Sequence, residues 1–145
     1  MSFLSSMNIS ASALTAERVR MDVIAENLAN QNNTRTADGT PYRRKFVTFQ
    51  EADKSFTSIL NKSIRNYSGG GVKVSEVRED MSDFKLVYDP NHSDADENGY
   101  VKMPNVDTAK EMIDMISATR SYEANITALN GTKSMASSAL KIGQG

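Results

Sequence analysis

The sequence predicts a mainly α-helical protein in which long N- and C-terminal helices flank a small β-rich insert. Apolar residues recur every three or four positions at both ends of the chain, while short alternating stretches occupy the middle. Hydrophobic residues make up 39% of the 145 residues and aromatic residues 7%, which suits a single modest core. The predicted parts are 1–34 for the N-terminal helix of the core domain, 35–106 for the insert and 107–145 for the C-terminal helix.

The N-terminal helix is predicted from an apolar stripe between residues 4 and 30. Its mixed spacing of three and four is the 3.5-residue period of a packed helix pair. The stripe ends in the run 30–33, whose amide side chains compete with helix through local hydrogen bonds, and 38–41 is a turn signal. The residues predicted to form an interface on this helix are Leu14, Met21 and Leu28.

The C-terminal helix is predicted from about Ala109 to Ile142, a span of roughly 50 Å at 1.5 Å per residue. Thr108 and Glu111 have the spacing of a capping box for its first turn. Gly131 interrupts it at a cost of up to about 1 kcal/mol relative to alanine. The residues predicted to form an interface on this helix are Met115, Tyr122, Ile126 and Leu129.

The insert is predicted to hold short strands between turns. The strand signals are Lys45–Phe49, the alternation around Val72 and Val74, and the run Phe84–Tyr88. Residues 51–64 are predicted to form a helix, and the glycine run 69–71 a hinge or tight turn.

Because the insert sends the chain out and back, the two terminal helices are predicted to pack against each other as an antiparallel coiled-coil pair. Two helices cannot bury all of their apolar side chains in one such contact. The residues that fall outside the stripes are expected to meet helices of neighbouring molecules, in a helical tube. These residues are Val19, Val23, Ile24, Ile113 and Ile116.

Charge and composition exclude several classes of protein. The 17 basic and 18 acidic residues leave a net charge of −1, whereas nucleic-acid binding favours a basic excess. The chain has no cysteine, which excludes disulfides and thiolate metal sites. The first residues lack the basic and apolar regions of a signal peptide, and no apolar run approaches the roughly 20 residues of a membrane span. Neither a cleaved signal nor direct membrane insertion is therefore expected.

One motif has a metal-binding pattern. Residues Asp94–Gly99 match the first six positions of a calcium-binding EF-hand loop. The twelfth position is Asn105 rather than the bidentate glutamate, and Pro104 falls inside the loop, so calcium affinity should be weak and an acidic turn is favoured. A small calcium-binding module stays open as an alternative.

Catalysis is not predicted. His92 is the only histidine, so no histidine pair can form within one chain, and its setting suits a turn. The neighbouring carboxylates lie in a hydrophilic loop, where a solvated turn is favoured over an acid–base pair. The run Arg43–Lys45 is interpreted as a solvated strand edge, with contact to an acidic neighbouring subunit as the second reading. No catalytic residue, cofactor, metal or small-molecule substrate is expected.

Three segments resemble one protein family. The run Ala25–Asn30 followed by Thr34 resembles the N-terminal signature of bacterial flagellar rod and hook proteins, and 111–113 with 120–125 resembles their C-terminal signature. The stretch 88–106 is similar to the loop of proximal-rod members. The signature positions are Asn27, Leu28, Ala29, Asn30, Asp89, Pro90, Asp94, Asp96, Gly99, Tyr100, Pro104, Arg120, Tyr122, Glu123 and Asn125.

The resemblance implies a structural subunit of the proximal rod, the periplasmic drive shaft of the flagellar basal body that transmits motor torque for motility. It implies export through the flagellar type III apparatus without a cleaved signal, and termini that stay unfolded until assembly. The implied partners are other copies of the chain, other rod proteins, and membrane-ring and export-gate proteins at the rod base. An autonomous coiled-coil adaptor remains the second alternative.

Overall fold

The computed structural model describes residues 3–52 and 70–143 of the chain. Two long helices form the ends, and two small antiparallel sheets lie between them in sequence, which confirms the predicted class of long helices with a small β insert. The elements in chain order are α1 (Phe3–Ala29), β1 (Lys45–Glu51), β2 (Val72–Glu79), β3 (Lys85–Tyr88), β4 (Tyr100–Met103) and α2 (Thr108–Ile142).

The two helices pack side by side and run in opposite directions. Near the end of α1 the Gln31 side chain accepts a hydrogen bond from the Thr108 hydroxyl at the start of α2. Further back along α1, the Met21 sulfur lies 3.7 Å from the hydroxyl oxygen of Thr119. Side chains earlier in α1 thus meet side chains later in α2, as expected for an out-and-back chain path.

The first turn of α2 is capped by Asp107 and not by Thr108. The Asp107 carboxylate accepts hydrogen bonds from the backbone N–H groups of Ala109 and Lys110, at 3.0 and 3.3 Å. The predicted capping box of Thr108 and Glu111 is therefore wrong, because helix begins one residue earlier than that motif requires. The Glu111 side chain is left free to point into the protein.

Each sheet has two strands. Strands β1 and β2 pair antiparallel, with a register shift between Thr48 and Phe49 that leaves Ser75 without a partner in the ladder. Strands β3 and β4 form a hairpin across the acidic loop, where the rings of Tyr88 and Tyr100 meet edge to face at 5.3 Å. The predicted strands are all present, although β1 runs on to Glu51. Apart from its first two residues, the helix predicted over 51–64 lies outside the described residues.

Gly71 brings the start of β2 close to α1. Its φ is +81°, and a Cβ placed on it would lie 2.5 Å from the Ser12 hydroxyl oxygen. That hydroxyl accepts a hydrogen bond from the backbone N–H of Val72 at 3.1 Å. The residue is therefore glycine for two reasons, a left-handed backbone and a contact with no room for a side chain. The first residue of the predicted glycine hinge, Gly69, lies outside the described residues.

The core is small and lies where α1, α2 and the strands meet. Val23 and Ile24, which were expected to face neighbouring molecules, are instead buried within the chain, because β1 covers this side of α1. Ile113 and Ile116 face solvent in the single chain, and their contact with neighbouring molecules stays a prediction. No helix among the described residues is both long and apolar enough to cross a membrane. The buried apolar residues are Ala16, Val23, Ile24, Tyr42, Val101, Pro104, Val106 and Ala118.

Candidate assembly surfaces and the polar cluster beside them

A buried polar cluster joins both helices to the first strand. Its centre is Asn27, whose side chain is fully buried. The Asn27 amide nitrogen donates to the Lys45 carbonyl at 2.7 Å and to Glu111 at 3.0 Å. Its oxygen accepts from the Lys45 N–H at 2.8 Å and from the Tyr42 hydroxyl at 3.0 Å. We call Asn27, Tyr42, Arg44, Lys45 and Glu111 the polar cluster.

The cluster contains a buried ion pair. The Glu111 carboxylate is fully buried, and its second oxygen accepts from Arg44 Nε at 2.6 Å. The same guanidinium lies 3.7 Å from Asp80 and 3.6 Å from Asp114. Arg44, with 15% of its side chain exposed, is thus a largely covered cation with three carboxylates around it, and the interpretation of residues 43–45 as a solvated edge is wrong for this position. The neighbouring charges repay part of the cost of taking the cation out of water.

Asn105 fastens the loop after β2 to the same region. Its amide oxygen accepts from the Arg44 N–H at 2.8 Å, and its amide nitrogen donates to the Asp80 carbonyl and the Ser82 hydroxyl, each at 2.9 Å. Hydrogen bonds from the Ser82 backbone and hydroxyl, with the charges of Arg44 and Lys110, hold the pKa of Asp80 below its usual value. Asp80 therefore stays ionised opposite the cation.

Tyr42 is the buried hydroxyl of the cluster. Burial, followed by the charges of Glu26, Glu111 and Glu79, raises the pKa of Tyr42 to about 12. Its hydroxyl therefore stays protonated over the physiological range and acts as a hydrogen-bond donor to Asn27. Lys45 lies over the ring face at 5.6 Å and pairs with Glu26 at 2.6 Å.

The acidic loop is a structured turn that binds its own backbone. Asp96 accepts hydrogen bonds from the N–H groups of Asn98 and Tyr100, at 2.9 and 2.8 Å, and Gly99 has a φ of +78°. Asp94 accepts from the Thr34 hydroxyl at 2.8 Å. Within residues 3–52 and 70–143 no three acidic, histidine or cysteine side chains converge as a metal site would require. Nothing here supports the calcium-binding alternative.

His92 also belongs to this turn. Its ring nitrogen Nδ1 accepts from the Asp94 N–H at 3.1 Å, and its carbonyl accepts from Ala95 at 3.1 Å. The histidine thus has a local structural partner in the loop between β3 and β4, as the sequence interpretation expected.

The predicted interface residues on the helices are mostly half-buried. Ile126 is the exception, with 37% of its surface exposed. The fully buried residues of α2 are instead Glu111 and Ala118. These two residues lie seven positions apart on the buried side of α2, and Ile126 lies next to that side. The half-buried residues are Leu14, Met21, Leu28, Met115, Tyr122 and Leu129.

Large apolar side chains remain exposed along α2 and on the second hairpin. On α2, Met112, Ile113 and Ile116 are 55%, 67% and 55% exposed, and they lie on one side of the helix. The signature residues Arg120 and Glu123 are exposed further along. The other exposed apolar residues of these elements are Leu86, Val87, Tyr88, Tyr100, Met135, Leu140 and Ile142.

Three members of the polar cluster were missed by sequence reasoning. Glu111 was assigned to a cap, Arg44 was assigned to a solvated strand edge, and Tyr42 was given no role. The available signal was that Asn27 shares one side of α1 with Val23 and Ile24, since a buried amide requires polar partners from elsewhere in the chain. The spacing of residues along the chain offered no means of choosing those partners.

Comparison with known proteins identifies the family. A sequence profile described as flagella basal body rod protein matches residues 7–35, and one described as flagellar basal body rod FlgEFG protein C-terminal matches residues 97–142. Both matches fall largely on the two helices. The FlgC rod protein of Bacillus subtilis is 56% identical over 145 residues, covering 96% of this chain and 97% of that protein.

Two more distant relatives cover the chain equally well. The FlgC rod protein of Borreliella burgdorferi is 45% identical and covers all of both chains. That of Salmonella typhimurium is 45% identical and covers 99% of this chain and all of its own. All three relatives are flagellar basal-body rod proteins, and the comparisons give no support to a calcium-binding module or an autonomous coiled-coil adaptor. The chain therefore belongs to the FlgC family of flagellar basal-body rod proteins and is a structural subunit of the basal-body rod.

Proposed function

We propose that the chain acts by packing its two terminal helices among those of neighbouring subunits, as a coiled-coil tube that forms the wall of the proximal rod. The exposed apolar surface of α2 carries this proposal, because an isolated soluble chain rarely presents a row such as Met112, Ile113 and Ile116 to water. Each buried Å² of apolar surface contributes about 25 cal/mol before the cost of ordering.

The half-buried interface residues give a second line of support. Leu14, Met21, Leu28, Met115, Tyr122 and Leu129 each keep part of their surface exposed beside the helix pair, and Ile126 keeps more. Neighbouring helices would cover what remains. Head-to-tail contacts that do not close produce a filament, which is the form a rod needs.

We propose that the insert, residues 35–106, adds lateral contacts outside the helical layer. The polar cluster suits this arrangement, since Asn27, Arg44 and Glu111 tie the insert to both helices through buried hydrogen bonds. A stiff connection of this kind would pass torque from the helices to the insert. Residues 1–34 and 107–145 would then be the parts that build the tube.

The proposed partners are other copies of the chain, other rod proteins, and membrane-ring and export-gate proteins at the rod base. The proposed location is the periplasmic rod, reached through the flagellar type III apparatus without a cleaved signal. An export route of this kind requires an unfolded chain, which the small apolar core and the lack of cysteine would favour.

The test replaces Leu28 or Ile126 by aspartate in cells whose own copy of the gene is deleted. We expect loss of swimming with unchanged protein level, because a carboxylate in a helix interface has no partner. Ala37→Asp, in the exposed turn after α1, is the control and should swim normally. Normal swimming of Leu28→Asp and Ile126→Asp would contradict the proposal.

A further inference from the structure

Both helices have an outward face that the chain does not cover. On α2 this face begins with Met112, Ile113 and Ile116 and continues through Arg120 and Glu123, all of them exposed. Glu111 and Ala118, the buried residues of α2, lie on the opposite side. Helical periodicity therefore separates an inner side that meets α1 from an outer side that is free.

The outward face of α1 is built differently. Its exposed residues recur every three or four positions, and those toward the end of the helix are small. The opposite side holds Ala16, Val23 and Ile24 in the core, so this face cannot turn inward. The exposed positions of this stripe are Leu4, Asn8, Ala11, Thr15, Arg18, Asp22, Ala25 and Ala29, and Glu26, which pairs with Lys45, is exposed beside it.

The two outward faces carry complementary charges. Along α1 a cation, Arg18, precedes an anion, Asp22, and along α2 Arg120 precedes Glu123. Within the described part of the chain, none of these four side chains forms a hydrogen bond or an ion pair. Antiparallel helices would place opposite charges together, whereas parallel helices would place like charges together.

We propose that the outer face of α2 docks antiparallel on the outer face of α1 of a second copy of the chain. Arg18 of one copy lies beside Glu123 of the next, and Asp22 lies beside Arg120. In this register Ile116 meets Ala25 and Met112 meets Ala29, so large apolar side chains pack on small ones and the helices approach closely. This inference rests on the proposed rod function and specifies one of its contacts.

A contact between α2 of one copy and α1 of the next fits the exposed faces better than a symmetric contact between two α2 helices. Pairing α2 with another α2 also satisfies Arg120 and Glu123, but in that register Ile116 lies against Thr127 and Met112 lies against Gly131. Ile116 would then face a polar side chain, whereas on α1 both Ile116 and Met112 face alanine. The contact between α2 and α1 uses two different faces, so each added copy presents the same free faces again and the assembly grows.

The test uses the absence of cysteine from the chain. Ala25→Cys and Ile116→Cys are combined in one chain, basal bodies are isolated from motile cells, and thiols are joined with a short cross-linker. We expect products of two and more chain masses, because the two positions lie on opposite sides of one molecule and can meet only between copies. The pair Ile116→Cys and Thr127→Cys is the control and should stay monomeric.

The outcomes separate this contact from the proposed function. Motile cells whose Ala25 and Ile116 cysteines stay unlinked, or link to a protein of another mass, overturn the contact and leave the rod function intact. Products from the control pair in place of the test pair also overturn it, in favour of the symmetric dimer. A wild-type chain missing from basal bodies would overturn the rod function itself.

Charge reversal decides the matter if the cysteine variants do not assemble. Arg18→Glu and Glu123→Arg should each shrink the swimming halo, and the double variant should restore it, because the pair is re-formed with opposite polarity. A double variant that swims no better than either single variant overturns the contact.

Discussion

The side-chain amide of Asn27 has two donor and two acceptor positions, and all four are used. Its partners come from the segment just before β1, from β1 itself and from α2, so one buried side chain sets the relation between these three segments. Removing a buried amide whose hydrogen bonds are all made costs stability mainly because its buried partners are left without a hydrogen bond. Tyr42 and Glu111 would be the groups most affected.

We expect Asn27→Ala to lower the free energy of unfolding by about 3 kcal/mol, because it leaves a buried carboxylate, a hydroxyl and a peptide group short of partners. Urea unfolding followed by circular dichroism measures the change. Asn125→Ala is the control, since among the described residues its amide donates only to the Ser121 carbonyl of the same helix, at 2.9 Å. A cost no larger than that of the control would contradict the role given to Asn27.

The raised pKa of Tyr42 makes stability depend on alkaline pH. The folded chain holds this proton up to about pH 12, whereas a tyrosine in the unfolded chain releases it near the usual pKa of 10.0. The contribution is therefore complete below pH 10 and is lost as pH rises toward 12. Tyr42→Phe removes the titrating group and should remove this part of the pH dependence.

Urea unfolding of the wild-type and Tyr42→Phe chains between pH 9 and 12 tests this. We expect the wild-type advantage to shrink by about 2 kcal/mol over that range, at about 1.4 kcal/mol per pKa unit. A constant difference between the two chains across the range would show that the hydroxyl is not held protonated by the fold.

At the scale of the elements, periodicity predicted what each segment forms, while the contacts between segments came from residues without a pattern. The stripes on α1 and α2 predicted two long helices, because a 3.5-residue repeat of apolar side chains matches the turn of a helix and not the two-residue alternation of a strand. Glu111 has no periodic signal that separates a cap from a buried ion pair. The contact of Glu111 with Arg44, just before β1, shows that the buried ion pair forms, and the spacing of residues along the sequence does not predict that contact.

Contacts between segments that the sequence does not predict also explain why Val23 and Ile24 are buried within the chain. The sequence showed two apolar residues outside the stripe, and neighbouring molecules were one way to cover them. The β1–β2 ribbon covers them instead, because Gly71 and Ser12 bring β2 against α1. Two segments can approach closely where one of them has a glycine, and that glycine is the only trace of the contact in the sequence. Glycine is equally common in turns that make no such contact, so the contact could not be predicted.

Two glycine substitutions should have opposite effects on stability. Gly71→Ala should cost about 2 kcal/mol or more, because its φ of +81° disfavours a side chain and the new Cβ would collide with Ser12. Gly131→Ala should stabilise the chain by about 0.5–1 kcal/mol, because it lies inside α2 with nothing within 4 Å. Thermal unfolding of both variants measures the pair. A stabilising Gly71→Ala would contradict the close approach.

At the scale of the whole molecule, stability is concentrated at one end of the helix pair. Among the side chains that the structure describes, every buried one of α1 lies at or after Ala16, and every buried one of α2 lies at or before Ala118. The polar cluster and the β3–β4 hairpin lie at this same end, while the β1–β2 ribbon runs along α1 as far as Ser12. The opposite end, from residue 4 to about 14 on α1 and beyond about 126 on α2, has only half-buried and exposed side chains. Neighbouring subunits would have to supply the missing burial there.

Amide hydrogen exchange of the isolated chain should therefore show a gradient along each helix. We expect amides near Asn27 and Glu111 to exchange only through global unfolding, and those of residues 4–12 and 130–141 to exchange at least about tenfold faster through local opening. Most of that difference should disappear in the assembled rod, because neighbouring helices would then bury the open ends. Uniform protection along both helices in the isolated chain would mean that the helix pair is complete by itself, and the exposed apolar side chains of α2 would then not depend on neighbouring helices for their burial.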